Sequence, residues 1–134
     1  MTYQKPLPAI TPLDKPFWEF ARRHELRLQR CSDCRKFRYP TSPVCADCDS
    51  DSYEWEKVSG RGKIRSWVVF HHGYFPSFAK ELPYNVAIVT LDEGPQMVGN
   101  ILAPNETLRG NMPVQIVFED ATDEISIPKF RPVP

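Results

Sequence analysis

The chain has 134 residues, with 17 Lys plus Arg against 17 Asp plus Glu and four cysteines. That length allows one modest core, or a core with a small metal-held satellite, and a sequence pI near 6.8 argues against binding driven chiefly by a phosphate backbone. No apolar run approaches the ~20 residues of a membrane span, and Met1-Thr2-Tyr3-Gln4-Lys5-Pro6 contains no hydrophobic signal region; a soluble cytoplasmic protein is expected.

Charge is unevenly spread. Residues 1–66 hold 13 basic and 9 acidic side chains and residues 67–134 hold 4 and 8, so a net +4 precedes a net −4. Pro6, Pro8 and Pro12 exclude helix and central strand from residues 1–12, which read as an extended arm. Asp14 is a candidate N-cap for a short helix with Lys15 and Pro16 in its first turn. Phe17, Phe20, Ala21 and His24 then recur at helical spacing and predict one apolar face. Trp18 lies off that face beside Arg22, either packed by the arm or open to a partner. Residues 25–30 alternate, with Leu26 and Leu28 on one side, and predict a half-buried strand.

That strand leads into Cys31-Ser32-Asp33-Cys34, and ten residues later the chain repeats the pattern in Cys45-Ala46-Asp47-Cys48. Each Cys-x-x-Cys pair aims two thiolates at one point, and two pairs complete a tetrahedral four-sulfur site. Zinc is the expected metal, with iron the competitor because tetrahedral sulfur also suits it. Two disulfides fit less well, since no secretory segment precedes the pairs. A closed four-cysteine site has no open position for water or substrate, so its expected role is structural.

Beyond the metal site the period is two. Tyr53, Trp55 and Val58 begin a strand, Gly60-Arg61-Gly62 bends or bulges it, and residues 63–70 resume it, so 53–70 is expected to be one long bent strand. Residues 71–83 form a thirteen-residue loop bearing Tyr74, Phe75 and Phe78. Residues 84–91 and 96–102 flank Asp92-Glu93-Gly94-Pro95 as a hairpin. Residues 105–108 suggest one helical turn, and 114–119 and 125–130 supply two more strands. Five short strands with a bent first member predict a mainly β chain built on a small barrel of the OB type. The expected domains are 1–50, holding the arm, helix and ribbon, and 51–134, holding the barrel and a C-terminal tail.

Several motifs together resemble a known family, the acyl-CoA-associated proteins that join an N-terminal helix and rubredoxin-like zinc ribbon to an OB-fold. They are Pro16-Phe17-Trp18, Leu26-x-Leu28-Gln29-Arg30-Cys31-x-x-Cys34, Tyr39-Pro40, Cys45-x-x-Cys48, Gly60-Arg61-Gly62, Pro83-Tyr84, Gly110-Asn111-Met112-Pro113-Val114 and Pro128-Lys129-Phe130-Arg131-Pro132. The resemblance spans nearly the whole chain. It implies one structural zinc and a non-catalytic accessory subunit of a thiolase-like enzyme, or of an acyl-CoA hydratase, sometimes contributing to the coenzyme A site.

The residues fit a non-enzymatic role. A thiolase needs a free cysteine nucleophile, and all four cysteines are expected on the metal. His71 and His72 are adjacent, so on a strand they would face opposite sides. Against solvated faces that balance the thiolates, a functional reading places Arg22, Arg35, Arg38 and Arg61 on coenzyme A phosphates. Trp18, Tyr74, Phe75 and Phe78 are the expected partner-facing side chains. The rival is a single-stranded nucleic-acid binder using Arg61, Lys63 and Arg65 with Trp67 as a basic stacking face.

Overall fold

The computed structural model describes residues 3–134. Met1 and Thr2, the start of the expected arm, lie outside the described residues. Helix α1 (Lys15–Arg22) begins with Pro16 in its first turn, where a missing N–H breaks no helical bond. Asp14 occupies the N-cap position but its carboxylate turns backward, accepting bonds from Thr11 N (2.7 Å) and Thr11 Oγ1 (2.9 Å). Phe17 and Ala21 are the buried side chains of the helix, as the spacing predicts. His24 corrects the pattern. The helix ends before it, its φ of 60° is left-handed, and its ring is exposed instead of extending the apolar face.

Two antiparallel sheets follow. The first has the order β2-β1-β3, with β1 (Arg27–Cys31) between β2 (Phe37–Arg38) and β3 (Tyr53–Lys57). The second has the order β6-β5-β4-β7-β8, from β4 (Arg61–Phe70), β5 (Tyr84–Leu91), β6 (Gln96–Gly99), β7 (Pro113–Asp120) and β8 (Ser126–Pro132). Residues 53–70 are therefore not one bent strand. The chain leaves the first sheet after Lys57 and enters the second at Arg61, turning at Gly60, whose φ is +74°. A Cβ there would stand 2.3 Å from Ile116 Cγ2, so the crossing needs glycine twice over.

The second sheet curls. Ile101, just past β6, bridges in parallel to Phe130 of β8, with Leu102 N donating to Phe130 O (2.7 Å) and Phe130 N to Asn100 O (3.0 Å). This partly closed barrel, five strands and a short 3-10 turn at Asn105–Thr107, is the OB architecture expected from the strand count. Pro128 and Pro132 are tolerated because β8 is the last strand of the sheet order. Residues 71–83 differ from a structureless loop: Pro76–Glu81 is a 3-10 turn started by Pro76.

A bulge between Ile64 and Ser66 sets the inside and outside of β4. Ile64 points inward, the bulge takes up Arg65, and Trp67, opposite the fully buried Ala87, resumes the inward row. The core is continuous across both sheets. Phe17, Leu26, Leu28 and Val58 join Ile64, Val89, Met97, Val114 and Phe130 in one buried cluster. The ribbon is thus fused to the barrel through shared apolar packing.

One buried polar side chain locks the barrel's closing corner. Asn85 donates to Ile101 O (2.9 Å) and Asn105 Oδ1 (2.9 Å) and accepts from Ile101 N (2.7 Å). Removing it orphans the Ile101 N–H, at about 1–3 kcal/mol, while Ile101 O keeps its bond from Ala103 N (2.9 Å). Asn85→Ala is therefore expected to lower unfolding free energy by about 2 kcal/mol, read as a lower urea midpoint with an unchanged slope.

Candidate functional site

The two knuckles repeat each other fourteen positions apart. Cys31 N donates to Lys36 O (2.9 Å) and Cys45 N to Ser50 O (2.8 Å), while Arg35 N returns to Cys31 O (3.0 Å) and Asp49 N to Cys45 O (2.9 Å). Arg35 and Asp49 close the turns with φ of 66° and 62°. Tight left-handed closure leaves backbone N–H groups pointing at sulfur. Those of Asp33 and Cys34 reach Cys31, those of Asp47 and Cys48 reach Cys45, Lys36 N–H reaches Cys34 and Ser50 N–H reaches Cys48.

The four Sγ atoms lie within 4.8 Å of one another. Cys31 Sγ is 3.5 Å from Cys48 Sγ, and Cys34 Sγ is 3.6 Å from Cys45 Sγ. A disulfide needs ~2.05 Å, whereas a tetrahedron with metal–sulfur bonds of ~2.3 Å has edges of about 3.8 Å. The spacing fits one metal ion and excludes cystine. Each close pair joins one cysteine from each knuckle, so an ion here ties the two turns together.

The sulfurs are electrostatically unequal. The Cys34 N–H, above all, lowers the Cys31 thiol to about 6, and the Asp47 N–H lowers Cys45. Lys36 and Ser50 N–H groups also lower Cys34 and Cys48, but burial and the neighbouring sulfurs outweigh them, and Cys48 rises to about 12. Four clustered thiolates repel, and a cation at the centre is what allows all four to ionise.

The surrounding cations are largely spoken for. Arg30 reaches Glu56 at 3.1 Å, Arg35 the same carboxylate at 3.9 Å, Arg27 meets Glu25 at 3.0 Å and Lys36 meets Asp47 at 3.6 Å. Among the proposed phosphate contacts, Arg22 is exposed at the end of α1 and Arg61 is exposed at the start of β4 in the other sheet. Arg35 sits on the first knuckle. Arg38 stacks over Tyr53 (5.1 Å), donates from Nη1 to Ser42 O (3.0 Å), and has its Nε and Nη2 buried without partners.

The expected partner-facing aromatics divide. Trp18 is half-buried, edge-on to Phe17 at 5.1 Å, and packs on the core. Tyr74 and Phe75 are 70% and 53% exposed. Phe75, Phe78, Tyr84, Phe70 and Tyr74 form a ladder with successive centroids at 6.1, 5.3, 5.1 and 6.2 Å. Phe70 and Tyr84 were not among the expected partner-facing aromatics, although β4 and β5 place them opposite each other. Below the ladder is a cavity of about 240 Å³, smaller than the usual ligand pocket of ~300–1,000 Å³. Its lysines, Lys5 and Lys129, are neutralised by Glu81 and Glu119.

His71 and His72 are exposed, and His72 lies edge-on to Tyr74 at 4.9 Å. Trp67 faces the core while Arg61 and Lys63 face outward, so the basic stacking face expected of a nucleic-acid binder is not assembled. The sequence reading also missed a polar chain. His24 Nε2 and Ser126 Oγ both reach Asp120 Oδ1, at 2.7 and 2.6 Å, linking the end of α1 to the β7–β8 hairpin. The i+7 spacing of His24 had suggested a core role and hid this one.

Comparison with known proteins agrees with the architecture. Residues 18–54 match the rubredoxin-like zinc ribbon domain of ChsH2, and residues 55–119 match its C-terminal OB-fold domain. A probable enoyl-CoA hydratase alpha subunit of Thermomonospora curvata is 39% identical over 96% of this chain, and a 3-oxo-4,17-pregnadiene-20-carboxyl-CoA hydratase alpha subunit of Mycobacterium tuberculosis is 32% identical over 80%. The matches cover only 40% and 34% of those longer relatives. A DUF35 domain-containing scaffold protein of Methanocaldococcus jannaschii is 33% identical over 78% of this chain and 79% of its own length. A solved structure titled Ltp2-ChsH2(DUF35) aldolase superposes with a TM-score of 0.85 at 35% identity, covering 94% of this chain and 98% of that one. The chain therefore belongs to the DUF35 family, which joins a ChsH2-type rubredoxin-like zinc ribbon to an OB-fold domain.

Proposed function

We propose that this chain is a non-catalytic accessory subunit of an acyl-CoA-handling enzyme, binding one structural zinc and helping to assemble the complex and hold the coenzyme A thioester. The observation that supports it most is the convergence of all four cysteines on one closed site, in a chain whose relatives are named as subunits and scaffolds. A thiolase-like partner supplies the cysteine nucleophile that this chain lacks, and thioester chemistry then proceeds on the partner. A hydratase partner is the second reading, favoured by the names of the two hydratase alpha subunits.

Zinc in this site supplies folding free energy and no open coordination position, on the order of 10 kcal/mol for structural sites. Elemental analysis is expected to find about one zinc, and little iron, per chain. Chelation under reducing conditions, or Cys34→Ser, is expected to release exchange protection from the knuckle amides of Lys36 and Ser50. The β5 amides of Ala87 and Val89 keep theirs, because they sit in the barrel core. Metal release with acid follows, as protons compete for the thiolates.

For assembly, Tyr74 and Phe75 are cleaner probes than Trp18, whose truncation also touches the core. Phe75→Ala is expected to weaken the complex about tenfold or more, since anchoring aromatics commonly contribute ~2 kcal/mol, with zinc content and melting temperature unchanged. Trp18→Ala is expected to weaken assembly similarly and to lower the melting temperature. Arg22→Ala is expected chiefly to raise KM for acyl-CoA in the assembled enzyme, because phosphate contacts far from the carbonyl act on ground and transition states alike. Acyl-CoA turnover by the isolated chain would sink the reading. So would tight binding of single-stranded DNA at ~0.15 M salt, where this charge pattern neutralises few phosphates.

A further inference from the structure

The outward face of the β4–β5–β6 sheet has the wrong chemistry for a surface meant to face water. Residues directly opposite in antiparallel strands project to the same side, so the register gives the face row by row. Phe70 stands opposite Tyr84, Val68 opposite Val86, and Ser66 opposite Ile88, which stands opposite Val98. Val68 and Val98 are 56% and 60% exposed. The intervening residues Trp67, Ala87, Val89 and Met97 turn the other way, into the core. Residues 67–70 and 86–89 are consequently unbroken apolar runs. Such runs belong to strands covered on both faces, whereas a sheet with one wet side alternates. Among the described residues the outer side is covered only at the Phe70–Tyr84 end, by Tyr74 and Phe78.

The two ends of the face differ. One end runs into the aromatic ladder through Phe70 and Tyr84. The other carries Arg61, Lys63 and Arg65, all exposed, and none forms an ion pair with a described residue. β4, β5 and β6 contain no Asp or Glu at all. The strands of a second copy laid on this face would bring no carboxylate to those cations, and its Asp92 and Glu93 sit on the β5–β6 hairpin at the cationic end, not on the face. An occupant that complements the whole face has an apolar centre and an acidic margin.

Building on the accessory-subunit reading, we propose that this face, and not only the aromatic loop, is the docking surface. Its occupant is an enzyme subunit that packs aliphatic or aromatic side chains on Val68, Val86, Ile88 and Val98. That subunit sets Asp or Glu residues opposite Arg61, Lys63 and Arg65. The apolar rows exclude water and hold the complex, and the cations steer the encounter and fix its orientation.

The test uses the full chain in the cells it comes from. A photo-crosslinking amino acid is placed in turn at Val68, at Val98 and, as a control on the ribbon sheet, at Glu54. Irradiation is expected to give one product of the same mass from 68 and 98 and none from 54, with the attached partner peptide apolar and flanked by Asp or Glu. With the partner so identified and purified, Val68→Asp combined with Val98→Asp is expected to weaken binding at least about a hundredfold, tenfold per anchor. Both positions are more than half exposed, so the melting temperature and metal content should not move. Reversing Arg61, Lys63 and Arg65 to Glu is expected to slow association about tenfold or more at low salt and to flatten its salt dependence. Crosslinks from 54 alone, no product from any position, attachment to a second copy of this chain, or unchanged affinity in the double variant would each overturn the proposal. A crosslinked partner without acyl-CoA activity would leave the docking surface standing and overturn the functional reading instead.

Discussion

Four sulfur atoms brought within 4.8 Å of one another are the constraint from which the N-terminal third takes its shape. Neither knuckle has enough apolar surface to fold on its own, and clustered thiolates repel, so the turns hold together only when something of opposite charge sits between them. Once the sulfurs converge, the strands beside them have little freedom. β1 ends on Cys31 and pairs with β3 from Arg27 to Cys31, while the loop between the knuckles is pinned by Gln29, which donates to Ser42 O at 3.0 Å and accepts from Ser42 N at 2.8 Å. Gln29 is 1% exposed, and a buried amide with both ends satisfied stabilises where a half-satisfied one would not.

The same strand carries the constraint into the barrel. Leu26 and Leu28 belong to the cluster that includes Ile64 and Phe130, so ordering the ribbon also orders one wall of the main core. Val58 N donates to Leu26 O at 3.0 Å just before the chain crosses to β4. At the opposite end of this junction the His24–Asp120–Ser126 chain ties α1 to β7 and β8. The His24–Asp120 contact is exposed, so most of the fixing comes from the apolar packing and less from this polar link.

Much of this was legible in the residues because it rests on local rules. Cysteine spacing encodes the knuckles, period-two apolarity marks the strands of the barrel, and Asp92-Glu93-Gly94-Pro95 gives the hairpin, where Gly94 N returns to Leu91 O at 2.9 Å. What stayed hidden depends on pairing between distant segments. Tyr53–Lys57 has the pattern of a strand whichever sheet it joins, and its partner, β1, is far away in sequence. Trp67, Val68, Val69 and Phe70 are all apolar, so no alternation says which of them face inward; the bulge decides, by one residue. The carboxyl of Asp120 and the ring of His24 are 96 positions apart, beyond any periodicity.

That one-residue decision has the widest consequence. Had β4 run without the bulge, the inward row set by Ile64 would have continued through Ser66 and Val68, placing a hydroxyl in the core and Trp67 in solvent. With it, Trp67 packs under the barrel and Val68 and Phe70 turn out. An apolar run of this kind pays a solvation penalty on whichever side is left open, and no choice of register removes it. Folding of the single chain can therefore satisfy only one face of β4 and β5. Leaving hydrophobic residues on the other is costly unless something covers them, and a large exposed apolar patch on a soluble domain ordinarily marks a site of association. The four-cysteine ribbon fixes one wall of the core from behind, the bulge fixes which side chains face away from it, and what remains outward is an apolar sheet face with Val68 and Val98 open to solvent.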